Sequence, residues 1–259
     1  MIKYPRYFLE LSYKGTAYHG WQLQENAHTV QAEINKALEL VLQSKIETLG
    51  AGRTDTGVHA RQFFAHFDYS GRIPENAIHQ LNGILPGDII AIRIIPVKLN
   101  ANARFDATKR TYEYWIYRNK NPFLREYACF FPFDLDMSRM NEAAELLLKQ
   151  EDFKCFAKSN SQVKTTLCQV FSAGWKVSAN GDLGEKIVFE ISANRFLRNM
   201  VRAIVGTLLK VGKCEISLED FRQILINGKR TAAGVSVPAN GLYLTAVEYD
   251  WENMAAENS

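Results

Sequence analysis

The sequence predicts an α+β protein built from two ferredoxin-like (split βαβ) halves, their antiparallel sheets side by side with a cleft between them. Three observations carry this. Short apolar runs bounded by turn residues alternate with stretches whose apolar residues recur at helical spacing. The first hundred residues read strand, helix, strand, strand, helix, strand, and a similar order follows without a clear repeat in the residues themselves. The 259 residues suffice for one large domain or two small fused ones.

In order along the chain, residues 6–13, RYFLELSY, form an aromatic- and leucine-rich strand that ends in the turn Tyr13-Lys14-Gly15-Thr16. Thr29 caps a helix carrying Val30, Ile34, Ala37, Leu38, Val41 and Leu42 on one side. A strand over Ile46–Leu49 leads into a glycine-rich loop at 50–57, and 62–69, QFFAHFDY, is the next strand. A second helix runs from Pro74, a favoured first-turn proline, to Leu85, where Pro86-Gly87-Asp88 breaks it. Ile89–Val97 reads as one apolar strand buried on both faces. In the second half, Lys109–Arg118 alternates as a strand, and Ser138–Lys149 is a helix with Met140, Ala143, Ala144, Leu147 and Leu148 on one side. Thr166–Ser178 and Lys186–Ala193 are strands joined through Asn180-Gly181-Asp182. Phe196–Val211 is a long helix, Ser217 with Asp220 three residues on caps another at 218–226, and Leu242–Trp251 is the closing strand. The halves span 1–106 and 107–251, and the small polar residues 252–259 are expected to fray.

Composition excludes more than it selects. No segment approaches the roughly 18 uninterrupted apolar residues of a membrane helix. MIKYPRYFLELSY lacks the apolar core and small-residue cleavage site of a signal peptide. The four cysteines form no C-x-x-C pair, and the five histidines, all between residues 19 and 79, form no ligand motif, so no metal is expected and the thiols read as reduced. A formal net charge of +3 is too small to announce a nucleic-acid partner by itself.

Two segments carry chemistry. The first is Gly50-Ala51-Gly52-Arg53-Thr54-Asp55-Thr56-Gly57-Val58-His59. Gly52 and Gly57 have the spacing of a phosphate loop, but Val58 and His59 stand where lysine and a hydroxyl belong. No third glycine completes a dinucleotide fingerprint. Asp55-Thr56-Gly57 matches the aspartic-protease tripeptide, yet it occurs once, and Arg53 beside it favours full ionisation over a shared proton. The bland alternative is an aspartate that merely closes a turn. The second segment is Arg195-Phe196-Leu197-Arg198-Asn199-Met200-Val201-Arg202. Read as the opening of the long helix, it stacks Arg195, Arg198 and Arg202 at i, i+3 and i+7. Cations in a first turn oppose the helix dipole at about 0.3–1 kcal/mol each, so an anionic partner explains them better than a solvated face does.

These segments, with Tyr18-His19-Gly20-Trp21-Gln22, Asn82-Gly83-Ile84-Leu85-Pro86, Ala103-Arg104-Phe105-Asp106-Ala107, Arg110-Thr111-Tyr112-Glu113-Tyr114 and Gly241-Leu242-Tyr243-Leu244, resemble the tRNA pseudouridine synthase A family in order and spacing. The resemblance implies a cytoplasmic homodimer that binds tRNA in the central cleft. It implies conversion of uridines 38, 39 and 40 of the anticodon stem-loop to pseudouridine, without metal or cofactor. It makes Asp55 the catalytic carboxylate, with attack on the ribose, attack on the base and removal of a ribose proton all compatible. Arg202 pairs with Asp55. Tyr112 stacks on the target uracil and offers a hydroxyl to take the carbon-5 proton, although the same residue would also serve as a core strand aromatic. Leu244 or Leu242 closes the pocket, Arg53 fills the space left by the flipped nucleotide, and Arg195, Arg198 and His59 contact RNA. One departure is Cys168-Gln169-Val170, where the family often carries an arginine before the valine; it implies one weakened RNA contact. The competing class, an RNA-binding module without catalysis, would gain nothing from a carboxylate set beside phosphates.

Overall fold

The computed structural model describes residues 4–158, 164–179 and 185–256. In chain order its elements are β1 (Arg6–Tyr13), α1 (Val30–Leu42), β2 (Leu49–Gly50), β3 (His59–Asp68), α2 (Ala77–Ile84), β4 (Ile89–Val97), β5 (Ala107–Tyr117) and β6 (Cys129–Phe130). There follow α3 (Met137–Leu146), β7 (Val170–Ala179), β8 (Glu185–Ala193), α4 (Met200–Gly212), α5 (Leu218–Asn227), β9 (Leu242–Tyr249) and α6 (Trp251–Met254). This is a mixed α and β protein of multi-stranded sheet and helices. No helix of the described residues is long and apolar enough to cross a membrane. The chain divides into two compact units, one of the residues up to Lys109 together with those from Leu244 on, the other Arg110–Tyr243.

In the first unit the strands run in the order β4-β1-β3-β9, with β2 beside β3. The β1–β3, β1–β4 and β2–β3 pairs are antiparallel. Thr29 caps α1 by accepting from the Ala32 N–H, as the sequence predicts. α2 packs on β4, where the Asn82 side chain bonds both the N–H and the carbonyl of Ala91. β4 corrects one expectation. The run, apolar but for Arg93, is the end strand of the sheet, and Ile90 is 51% exposed, so it is not buried on both faces. Of the expected strand at 46–49 only Leu49 pairs.

The last strand belongs with this first unit, not with the second half where the sequence reading puts it. Tyr249 and Trp251 explain why. Tyr249 lies edge-on to Phe8 and Phe64 at 5.3 and 5.2 Å, and Trp251 stands 6.0 and 5.4 Å from the same rings. Trp251 opens a helical turn capped by Asp250. Met254 is buried, its carbonyl accepts from the Lys98 N–H at 3.0 Å, and Ala255 bridges Val97. Met254 and Ala255 are therefore fastened to the first unit, against the fraying expected from 252.

A buried histidine ties the loop after β4 to this sheet. The His66 Nδ1 accepts from the Ala103 N–H at 3.1 Å, and the ring stacks on Phe8. Burial, aided by Arg6 and opposed by Asp68 and Asp106, pushes its pKa down to about 4. The folded protein holds this ring neutral, while the unfolded chain binds a proton near pH 6.5. Between these values the unfolded state carries more protons, so stability is present above 6.5 and falls as pH drops toward 4, by an amount on the order of 3 kcal/mol. Urea unfolding of wild type and His66→Asn at pH 7.5, 5.5 and 4.5 should show that component missing in the variant. Identical pH slopes would remove His66 from the acid response.

In the second unit β8 lies between β5 and β7 and is antiparallel to both, and β6 runs parallel to β5. The predicted turn at 180–182 lies outside the described residues. α3 sits on β7, where Asn141 accepts from the Trp175 N–H and donates to its carbonyl. α4 is buried on nearly every side, and α5 begins with the predicted capping box of Ser217 and Asp220. The start of α4 is a second correction. The helix opens at Met200, because Asn199 adopts a left-handed conformation at φ 68° and the Met200 N–H turns back to the Leu197 carbonyl. Arg195 and Arg198 precede the helix, so the predicted stack of three arginines on one helical face does not exist. Only Arg202 stands in the first turn, and the dipole argument for the other two falls.

Candidate active site

Backbone hydrogen bonds hold the loop between β2 and β3 along its length. At its entry the Ala51 N–H donates to the Phe64 carbonyl at 2.7 Å. At its centre the Thr54 carbonyl accepts from the Trp21 N–H at 3.3 Å, and the Thr54 hydroxyl, buried, bonds the Tyr13 hydroxyl at 2.8 Å. At its exit the Gly57 N–H donates to the Tyr18 carbonyl and the Val58 N–H to the Asp55 carbonyl. Two glycines outside the loop make these approaches possible. A Cβ at Gly20, which has φ +87°, would stand 2.3 Å from the Thr54 carbonyl oxygen, and one at Gly15 would stand 1.9 Å from that of Val58. Tyr18 is itself fixed, donating to Asp88 at 2.5 Å. Thr54 and Val58 face inward, Arg53 and Thr56 are exposed, and Asp55 is half-buried. The result is a half-buried carboxylate on a loop held by backbone hydrogen bonds, with the exposed Arg53 two residues before it.

Two of the predicted residues in this unit lie deeper than the sequence reading has them. His59 is 2% exposed, and its Nδ1 accepts from the Gly15 N–H at 3.1 Å. That place supports a role in holding the loop rather than the RNA contact the sequence reading gives it. Leu244 is 3% exposed, and Leu242 is buried as well.

The second unit presents the other residues. Tyr112 is half-buried on β5, opposite Ile191 of β8, and Phe196 meets its ring at 5.1 Å in an edge contact. Asn194 ties the segment before α4 to β7, accepting from the Gln169 N–H at 2.9 Å and donating its own N–H to the Gln169 carbonyl. Its carbonyl accepts from Arg110 at 2.8 Å. Arg195 is half-buried and Arg198 exposed, its carbonyl accepting from the Lys158 N–H. Arg202, partly buried, donates its Nε to the Val237 carbonyl at 2.7 Å, and the Val237 N–H returns to the Arg202 carbonyl. This reciprocal pair fixes the plane of the guanidinium. Cys168 is buried, and burial pushes its thiol up to about 11 against the nearby positive charge of Arg195. All four cysteines are free thiols.

Tyr13, Gly15, Gly20 and Val237 have no place among the residues singled out from sequence as functional. Gly20 lies within a motif, which was a usable signal. Val237 acts through a carbonyl that any residue would provide, so no side-chain pattern marks it.

A family model described as tRNA pseudouridine synthase matches residues 143–250. The chain is 47% identical over 249 residues to tRNA pseudouridine synthase A of Bacteroides fragilis, covering 95% of this chain and 97% of the relative. It is 44% identical over 255 residues to tRNA pseudouridine synthase A of Parabacteroides distasonis, covering 98% and 99%. The protein of that name from Caldicellulosiruptor bescii is 38% identical over 244 residues, covering 93% and 98%.

Proposed function

The chain belongs to the tRNA pseudouridine synthase A family and is an isomerase, and from that premise we propose that it converts uridines 38, 39 and 40 of the tRNA anticodon stem-loop to pseudouridine with Asp55 as the catalytic carboxylate. The observation that carries the assignment of Asp55 is its loop. Backbone bonds and two obligatory glycines hold the segment 50–59, and the half-buried aspartate stands between the exposed Arg53 and Thr56.

The reaction breaks the bond from ribose carbon 1 to uracil nitrogen 1, turns the base, and joins carbon 5 to the sugar. One proton leaves carbon 5 and one arrives at nitrogen 1, so atoms and electrons balance without an external reactant. In this reading Asp55 acts at the sugar–base bond. Arg202 is its cationic partner, with the guanidinium plane set by Val237. Tyr112 stacks on the uracil and its hydroxyl takes the carbon-5 proton, the edge contact with Phe196 holding the ring. Leu244, with Leu242, closes on the base. Arg53, exposed on this loop, fills the gap in the stem-loop left by the flipped nucleotide. Arg195 and Arg198 meet phosphates, and His59 supports the loop from below. We take the two units as ferredoxin-like halves and the working form as a cytoplasmic homodimer that binds the stem-loop. The order β4-β1-β3 with β2 beside β3 supports the first of these halves.

Incubation with tRNA tritiated at uracil carbon 5 tests the assignment. Tritium should pass to water in step with pseudouridine, and only from positions 38–40 when the product is mapped. Release from another region of the tRNA would overturn the site, and no release would overturn the reaction.

A further inference from the structure

The segment between α5 and β9 has no regular structure over most of its length, yet it crosses α4 at closer range than any side chain would permit. A Cβ on Gly206 of α4 would stand 1.9 Å from the Val235 carbonyl oxygen, and a Cβ on Gly234 would stand 2.7 Å from the Gly206 carbonyl oxygen. Thr207, fully buried, donates its hydroxyl to the Ala203 carbonyl and accepts the Gly234 N–H, each at 2.8 Å. The helix and the segment therefore meet backbone to backbone, one turn beyond Arg202 and on the same side of the helix.

From this crossing the segment runs back toward the start of α4, and each successive residue is fastened. The Ser236 hydroxyl accepts from the Asn199 side chain at 2.6 Å. Val237 makes the reciprocal pair with Arg202. The Pro238 carbonyl accepts from the hydroxyl of the buried Tyr114 at 2.8 Å. Val235, between the fastened positions, is 84% exposed, so the segment lies at the surface and packing from outside does not hold it. What spans it is a second arginine. Arg230 donates Nη1 to the Gly234 carbonyl and Nη2 to the Ser236 hydroxyl, both at 3.0 Å. One planar guanidinium thus fixes the spacing between the crossing point and the residue before Val237.

The chemistry makes that spacing matter. With Nε given to Val237, a carboxylate meets Arg202 two-pronged only through its terminal Nη pair, end-on. A shift of the Val237 carbonyl rotates that fork.

We propose that residues 230–238 are the positioning element for Arg202, and that Arg230 is its latch, a positioning residue for catalysis that touches no substrate. This rests on the reading that Arg202 serves Asp55. Arg230→Met should lower kcat between about ten- and a hundredfold, as expected for a misplacement on the ångström scale, with KM within twofold. Arg230→Lys should restore only part, because a point charge serves one acceptor where the fork serves two. In an Arg202→Ala background Arg230→Met should cost less than about twofold, since the residue through which it acts is gone. Ser236→Ala should follow the same pattern more weakly and carries the test if Arg230→Met does not fold.

An effect on KM alone would make Arg230 an RNA contact and overturn the proposal. An equal loss in both backgrounds would make it merely structural and overturn it too. Failure of the underlying reading is recognised separately: Arg202→Ala alone would then leave kcat as in wild type.

Discussion

Asp55→Asn should abolish pseudouridine formation, lowering single-turnover tritium release by at least about a thousandfold, while tRNA affinity stays within a few-fold of wild type. The substitution keeps shape and removes charge. The loop should keep its anchors in the variant: the Thr54 hydroxyl on Tyr13, the Thr54 carbonyl on Trp21, the Gly57 N–H on Tyr18 and the Val58 N–H on the Asp55 carbonyl, with Gly15 and Gly20 beneath it. A large loss of rate with retained binding thus separates chemistry from folding in one experiment. Filter binding at fixed salt supplies the affinity, and rapid-quench release of tritium supplies the rate. Turnover within tenfold of wild type would take Asp55 out of the reaction, and with it the assignment of the whole 50–59 loop.

That loop was legible in the sequence because its demands fall on residue types. A Cβ at Gly50 would stand 2.5 Å from the Trp21 ring nitrogen, and a chain turning at φ +80° at Gly57 favours glycine. The strands and helices of the first hundred residues were legible for the same reason, their apolar spacing being the face they bury. What was not legible turns on features that carry no side-chain signature. The helix at 200–212 starts four residues late because Asn199 is left-handed, and nothing in the apolar pattern of Phe196, Met200 and Val201 distinguishes a first helical turn from the tight turn that is present. The three arginines consequently looked like one row when two of them lie on the approach. β4 reads as central because it is apolar but for Arg93, though it is the end strand. The segment 230–238 has no period at all. Its Val237 carbonyl, its Gly234–Gly206 crossing and the Arg230 latch become visible only when α4 and the segment are seen together.

Arg202 and Arg198 share one motif, yet the family resemblance gives them different roles, and their different surroundings lead to the same expectation of opposite phenotypes. Arg198 is exposed and lies before the helix. Arg198→Ala should weaken tRNA binding, reduce the salt slope of log affinity by up to about one unit, and leave single-turnover rate nearly unchanged at saturating tRNA. Arg202 is partly buried, with one of its donors committed to Val237. Arg202→Ala should lower kcat by about a hundredfold or more, the scale of removing one member of a desolvated ion pair, with KM and the salt slope close to wild type. Arg202→Lys should recover less than about tenfold of this. A lysine keeps the charge, but its single ammonium cannot serve the Val237 carbonyl and also present a planar fork to a carboxylate. Rate and affinity measured on the same preparations decide the matter. If Arg202→Ala changed only affinity and salt slope, like Arg198→Ala, then Arg202 would be a phosphate contact, Asp55 would act without it, and the fastening of Val237 would serve RNA binding instead of catalysis.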